Sequence, residues 1–328
     1  MVQTVPHSLT IVSQTPSITV VVPYHNEQDN LEYLLDQLAA QTLQPQEVIL
    51  VNSGSTDASS ARIDEWISQR QKQAVFKNLN ASTKTPGGSK SAGVAASKGD
   101  LLAFMDCGLD FPTHWLQSQF DLMTSSAADW VSGVCLTTGT NLVDKSAIAH
   151  TYGYESTRPV IPSSLVRRSV FDRIGLFKDL RAGYDAEWAR SSARAGLRRE
   201  INRRVVVEYR GTNFANDVRG VFLKSLRYAR PSVGRDDTFV PYVYVLGGLL
   251  ALLVAIFTPI LIPIGVVFYA LARLAIASRK SMGIRFFFVS PARVLLLLFV
   301  GTVMDLGKLC GFTAGLYVRF VKRRSLVT

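Results

Sequence analysis

Three apolar runs in this 328-residue chain end in polar groups suited to chemistry. Val20 to Val22 closes at Pro23 and opens onto His25, Asn26 and Glu27. Val48 to Val51 ends in Asn52-Ser53-Gly54-Ser55-Thr56-Asp57, and Leu101 to Met105 ends in Asp106, with Gly108 and Asp110 just beyond. A carboxylate at the tip of a buried strand needs a partner, and a divalent cation with a diphosphate is one; a capped strand end is the plainer reading. Between the second and third runs lies Pro86-Gly87-Gly88-Ser89-Lys90. Such a turn lets backbone approach a ligand closely, with helix N-terminal amides facing it and Lys90 as a point charge. A solvent loop with a surface lysine is the alternative.

The surrounding elements put these groups on one edge. Leu31, Leu34, Leu35 and Leu38 recur at helical spacing, so a helix joins the first two β-branched runs. Strand, helix, strand in this order is a parallel βαβ unit, and ligands of such sheets sit at the carboxyl ends of the strands. No Gly-x-Gly-x-x-Gly follows either strand, which argues against a dinucleotide dehydrogenase. Further strands are predicted at Val75 to Leu79 (an edge), Trp130 to Leu136, Ile161 to Ser164 and Val205 to Tyr209. The resulting fold class is α/β.

Pro23-x-x-Asn26-Glu27 and Gly54-Ser55-x-Asp57 resemble the two opening turns of family 2 glycosyltransferases of the GT-A fold, a Rossmann-like, mostly parallel domain. Asn52 and Ser53 stand where that family has two acids. Lys90, Ser91 and Gly93 fall on its Arg-Asn-x-Gly segment, and Phe111 to Leu116 follows its Pro-x-x-Trp-Leu continuation. Arg167, Arg168, Phe171, Gly175 and Phe177 match a later segment, after which Asp185 falls on the catalytic aspartate, with Tyr184 in place of a Glu. The resemblance implies a nucleotide-sugar donor held by Pro23, His25, Glu27, Asn52, Ser53 and Asp57, with Lys90 and Arg227 on its diphosphate. It implies Mg²⁺ or Mn²⁺ at Asp106; Gly108 replaces the second acid of the metal motif, so that either Asp110 supplies a carboxylate or metal binding is weak or absent. Asp185 would be the base of an inverting transfer, and a helix N-cap is its plainer reading.

The chain carries 36 basic against 25 acidic residues, and the excess is local. Between Arg190 and Asp237 twelve basic residues face five acids, just before a long apolar region, a placement that favours anionic lipid over nucleic acid. Phe214 to Arg230 reads as an amphipathic interface helix, in which Lys224-Ser-Leu-Arg227-Tyr228 resembles the Gln-x-x-Arg-Trp motif of membrane glycosyltransferases. The expected organisation is a tail (1–16), a GT-A domain (17–212), a basic interface helix and linker (213–237) and a transmembrane region (238–328). Spans are expected at 239–257 and 260–277, with a third apolar segment at 294–318. Asp305 and Lys308 interrupt that third segment, and the basic Lys322-Arg323-Arg324 follows it, so an interfacial or re-entrant helix is the alternative.

No leader pattern opens the chain, and its three cysteines lie far apart, as reduced thiols in a cytosol-facing domain would. The expectation is an integral protein of the bacterial inner membrane with a cytoplasmic catalytic domain, resembling succinoglycan-type exopolysaccharide glycosyltransferases. Its acceptor would be lipid-linked or a glycan, with membrane lipids as partners. A polyprenyl-phosphate glycosyltransferase and a non-catalytic nucleotide-binding partner are the alternatives.

Overall fold

The computed structural model describes residues 16–69, 75–233 and 239–321, so nearly all of the expected N-terminal tail and the basic Lys322 to Arg324 lie outside the described residues. The chain opens with β1 (Ile18–Tyr24), α1 (Leu31–Ala39), β2 (Glu47–Asn52), α2 (Ser59–Gln69), β3 (Val75–Asn80), α3 (Pro86–Ala96) and β4 (Leu101–Phe104). These four strands pair in parallel in the order β3-β2-β1-β4. Val20, Val22, Val48 and Leu50 pack toward α1 and α2, while Val21, Ile49 and Val51 pack on the other face with Val94 of α3. Both faces are covered, which is why these strands read as unbroken apolar runs.

Next come β5 (Leu109–Asp110), α4 (Trp115–Ser126), β6 (Trp130–Thr137), α5 (Leu142–Thr151), β7 (Ser156–Arg167), α6 (Arg168–Ile174), α7 (Tyr184–Arg194) and β8 (Arg199–Tyr209). β7 runs antiparallel to β4 and β6, β8 is parallel to β6, and β5 pairs antiparallel with β8, giving one mixed eight-stranded sheet. β7 is far longer than the predicted Ile161 to Ser164, because Pro159 and Pro162 obscure a strand whose pairing with β6 shifts register near Ser132. Part of the basic run is spent internally. Arg199 donates to Ser132 Oγ (2.9 and 3.0 Å) and stacks on Trp130, so it is no lipid-facing charge.

The remainder is helical: α8 (Val218–Ser232), α9 (Val240–Phe257), a 3₁₀ turn (Pro259–Leu261), α10 (Ile262–Lys280), α11 (Arg285–Phe288) and α12 (Pro291–Phe320). Among the described residues three helical stretches, Val240–Phe257, Pro259–Lys280 and Pro291–Phe320, are long and apolar enough to cross a membrane. The expected interface helix, α8, lies alongside α12. Gly307, Gly311 and Gly315 of α12 let the backbones meet, since a Cβ at Gly311 would stand 2.5 Å from the Leu226 carbonyl and 2.8 Å from Ala229 Cβ. Gly311→Leu is therefore expected to lower the melting temperature of the detergent-solubilised protein, through overpacking worth about 1–3 kcal/mol. Gly247→Leu, where a Cβ meets nothing within 4 Å, should leave it unchanged.

Asp305 and Lys308 do pair, at 3.7 Å, but in a larger group than the two alone. Arg273 of α10 lies 3.3 Å from Asp305, and the hydroxyls of Tyr244 and Tyr269 donate to its two oxygens at 2.9 and 2.8 Å. Both carboxylate oxygens are thus satisfied within the helical region, as a charge held there requires.

Candidate active site

The two signature turns grip each other. Asn26 adopts a left-handed conformation (φ 54°), which asparagine tolerates better than most side chains. Its Oδ1 accepts the Thr56 N–H at 2.8 Å, and its own N–H donates to Ser55 Oγ at 3.1 Å. Asp57 accepts from the Gln28 N–H (3.2 Å) and from Ser59 N–H and Oγ (3.0 and 2.5 Å). Burial raises the Asp57 pKa, but these hydrogen bonds outweigh it and hold the carboxyl below its ordinary value. Asn52 accepts from the Ser55 N–H (2.8 Å) and donates to Asn80 (3.0 Å), while Ser53 Oγ meets Ser89 Oγ at 2.6 Å. Asn52 and Asp57 thus brace the turns from behind.

In front of them opens a cavity of about 210 Å³ at the carboxyl ends of β1 and β4. Of the expected donor-site residues, Pro23, His25, Glu27, Ser53 and Asp106 line it; Asn52, Asp57, Lys90 and Arg227 do not. Pro86, from the turn expected to approach a ligand, and Tyr24, Lys84, Cys107, Arg181 and Tyr209, which the sequence does not single out, complete the wall. Lys84, two residues ahead of the Pro86 turn, and Arg181, four ahead of Asp185, were the legible signals. Burial pushes the Glu27 carboxyl up; the Asn30 amide at 2.8 Å opposes this, and the charges of Asp106 and Asp57 add to it. Burial likewise raises the Cys107 thiol well above its ordinary value, with Glu27 and Asp106 adding, so no nucleophilic thiolate stands here.

Lys90 is fully buried, and its ammonium meets Asp106 Oδ1 at 2.5 Å and the face of Tyr184 at 5.7 Å from the ring centre. Burial opposes the charge, yet Asp106 and Tyr184 more than compensate and raise the lysine pKa. The expected diphosphate contact therefore stands behind Asp106, facing the carboxylate instead of the cavity. Nor does the Gly-Gly turn wait for a ligand: Gly87 and Gly88 sit against the backbone of 178–180 and against Thr83. Thr83 and Thr85 both donate to Asp179, and the Gly87 N–H to the Leu180 carbonyl at 3.3 Å, which fixes the segment carrying Arg181 to the start of α3.

A divalent cation finds a limited donor set. Among the described residues no three His, Cys, Asp or Glu side chains gather as ligands. Asp110 does not line the cavity; it lies 3.6 Å from Arg210 on the far side of Gly108, whose positive φ (76°) turns the chain away. Asp106 keeps one oxygen free of Lys90 and is partly exposed to the cavity beside Glu27. This set suits a cation shared with substrate phosphates, as Mg²⁺ commonly is, and not an all-protein cage.

Asp185 lies in the first turn of α7, where its charge complements the helix dipole, but the N-cap is Gly183 (φ 77°). The carboxylate is half-buried, and no hydrogen bond or ion pair joins it to any described residue. Three phenols sense it. Burial first, with the charge of Asp185 adding, pushes Tyr152 and Tyr184 up to about 12 and also raises Tyr228. Arg181 and Arg227 act on Tyr228 in the opposite sense, so α8 brings Arg227, exposed on its surface, to the same flank as Asp185. Arg158, stacked 4.2 Å above the Tyr152 ring, completes a cationic and aromatic wall there.

The chain has relatives among known proteins. The chain resembles EpsH of Bacillus subtilis (26% identity over 117 residues, 35% of this chain and 32% of that protein). It also resembles Glycosyltransferase AglE of Haloferax volcanii (25% over 201 residues, 57% and 64%). It thus spans between about a third and just under two thirds of the length of these relatives. In three dimensions it is similar to the mannosyltransferase PcManGT from Pyrobaculum calidifontis, solved with GDP-Man and Mn²⁺ (TM-score 0.53, 17% identity, covering 95% of this chain and 89% of that one), a likeness of fold. The model of the family described as Glycosyl transferase family 2 matches residues 19–206, more than half of the chain, and the protein belongs to that family of glycosyltransferases.

Proposed function

We propose that this glycosyltransferase moves a sugar from a nucleotide-sugar donor to a lipid-linked or polysaccharide acceptor at the membrane, with inversion at the anomeric carbon. The observation that carries this reading is Asp185, a half-buried carboxylate without a partner among the described residues, one residue along from the tyrosine that covers the Lys90–Asp106 pair. The acceptor oxygen bonds to the anomeric carbon as the bond to the donor phosphate breaks. Its proton passes to Asp185 and the bonding electrons leave with the diphosphate. Lys84 and Arg181, in the cavity wall, lie where they can answer the charge that develops on the leaving group. Asp106 would hold a divalent cation together with the donor phosphates; when bound, the cation supplies further charge neutralisation to that leaving group. GDP-Man and Mn²⁺ in PcManGT make such a pair of ligands reasonable here.

The test is transfer of labelled sugar from UDP-, GDP- and dTDP-sugars into lipid extracts by membranes carrying the protein, with and without chelator. Transfer from one donor class is the expected result; nucleotide-sugar binding without turnover in any extract would favour a non-catalytic partner instead. Because Asp106 and Glu27 are the only carboxylates lining the cavity and no three ligand side chains gather among the described residues, calorimetry should register Mn²⁺ binding only once nucleoside diphosphate is present. Saturable Mn²⁺ binding to the protein alone would overturn the shared-cation reading.

One observation favours a narrower acceptor. Arg181 in the cavity wall and Arg227 on α8 both act on Tyr228, as Asp185 does, and two cations on that side suit an acceptor that is itself a lipid phosphate.

A further inference from the structure

Composition alone would give this chain three membrane spans, but the packing of the last one is inconsistent with crossing. We propose that α12 lies in the plane of the membrane beneath the catalytic domain and that only the α9–α10 hairpin crosses the bilayer. The catalytic domain and the chain beyond α12 then share one side. This topology is independent of the transfer reaction.

The first ground is what covers α12. Leu297, Val300 and Met304 are fully buried in a cluster with Ala147, Ile148 and Ala149 of α5, and His150 bonds the Leu297 carbonyl at 2.9 Å. Gly307, Gly311 and Gly315 continue the same face onto α8, whose other positions carry Arg219, Lys224, Arg227 and Arg230. The covered stretch is about 27 Å long at 1.5 Å per residue. A bilayer core is about 30 Å thick, so a spanning α12 would drag these water-soluble elements through it.

The second ground is the depth of Asp305. It stands near the middle of the 30-residue α12, which in a span would be the bilayer centre. The hairpin gives another position. Tyr244, which donates to Asp305, is in the second turn of α9, about 6 Å from that helix's start. Arg273, its ion-pair partner, lies about 10 Å before the end of α10. That end is fastened to the catalytic domain, where Lys280 donates to the carbonyls of His150 and Thr151 and the Tyr154 N–H donates to Ser281. Tyr269, the other donor to Asp305, lies about 16 Å before that end, so by the hairpin's own scale the Asp305 group reaches from the catalytic-domain end to the hairpin's middle and no deeper.

The occupant of the free face of α12 is the adjoining lipid leaflet. Leu295, Phe299, Leu306, Tyr317 and Phe320 are each more than half exposed and continue the lipid-facing surface of α9 and α10. Near its two ends α12 is tied to the rest of the fold, Arg293 donating to the Phe286 carbonyl at 3.0 Å and Arg319 to the Val233 carbonyl at 2.5 Å.

The test is a depth profile of the full-length protein in vesicles of phosphatidylethanolamine and phosphatidylglycerol. Single spin labels are placed at Leu295→Cys, Phe299→Cys, Leu306→Cys and Tyr317→Cys in a background lacking all three native cysteines, and at native Cys310 in a background lacking Cys107 and Cys135. Depths that agree within about 5 Å, one helix radius, are expected, and a profile rising to a maximum near Leu306 would overturn the proposal. A second readout tolerates poor folding of any labelled variant: reporters of membrane sidedness fused to the two ends of the wild-type chain. Both ends on the same side is the expected result, and opposite sides would defeat it.

Discussion

An Asp185→Asn variant is expected to melt like the wild type and to transfer sugar about 10²–10⁴-fold more slowly. The fold should not notice the change, because Asp185 makes no hydrogen bond or ion pair with any described residue and the cap of α7 is Gly183. The chemistry should, because an acceptor hydroxyl must lose its proton as the new bond forms and an amide cannot take it. The loss should fall on kcat more than on KM, since the interaction is made only in the transition state. An acceptor that is already an ionised phosphate needs no base. Activity kept in Asp185→Asn, combined with loss in Arg181→Ala or Arg227→Ala, would therefore assign the acceptor to the lipid phosphate class.

The second large effect is an asymmetry in stability between the partners of the Lys90–Asp106 pair. Asp106→Ala leaves an ammonium with no exposure and no counter-charge, which should cost about 3–5 kcal/mol. Lys90→Met should cost clearly less, because the remaining Asp106 side chain is 30% exposed and can be hydrated from the cavity. Combining Lys90→Met with Asp106→Asn should restore most of the stability lost in Asp106→Ala, since no buried charge is then left alone. Thermal melts of the four proteins decide this, and equal losses in the two single variants would mean that Lys90 is better solvated than its burial indicates. Asp106→Ala and the double variant should both lose donor affinity through the altered Asp106, and the double variant separates that loss from misfolding.

The sequence was most legible where one physical pattern dominated. Unbroken β-branched runs gave β1 and β2, and the four leucines of α1 gave its buried face. It was least legible where burial is set by distant partners. α5 passed unnoticed because Asp144, Ser146 and His150 make it look polar, yet all three are buried. Asp144 accepts the N–H groups of Asn213, Phe214 and Ala215, some seventy positions away, and no local pattern announces that. Lys90 looked like a surface charge reaching for phosphate because nothing near it in sequence predicts full burial. The glycines beside it are tight because of Lys178 to Leu180, about ninety residues later. In the same way the stripe of Gly307, Gly311 and Gly315 was visible as small residues, while the helix it receives was read as a separate interfacial element.

The contact between α5 and α12 also sets an order of events during synthesis. Ala147, Ile148 and Ala149 are made first, and the side chains that cover them, Leu297, Val300 and Met304, follow about 150 residues later. The apolar hairpin of α9 and α10 emerges between the two. Until it has been inserted and α12 has followed, the catalytic domain keeps an uncovered apolar flank. On the topology proposed above, a nascent chain that fails to reach the membrane is left with a surface that chaperones and proteases recognise, which ties completion of the enzyme to its delivery.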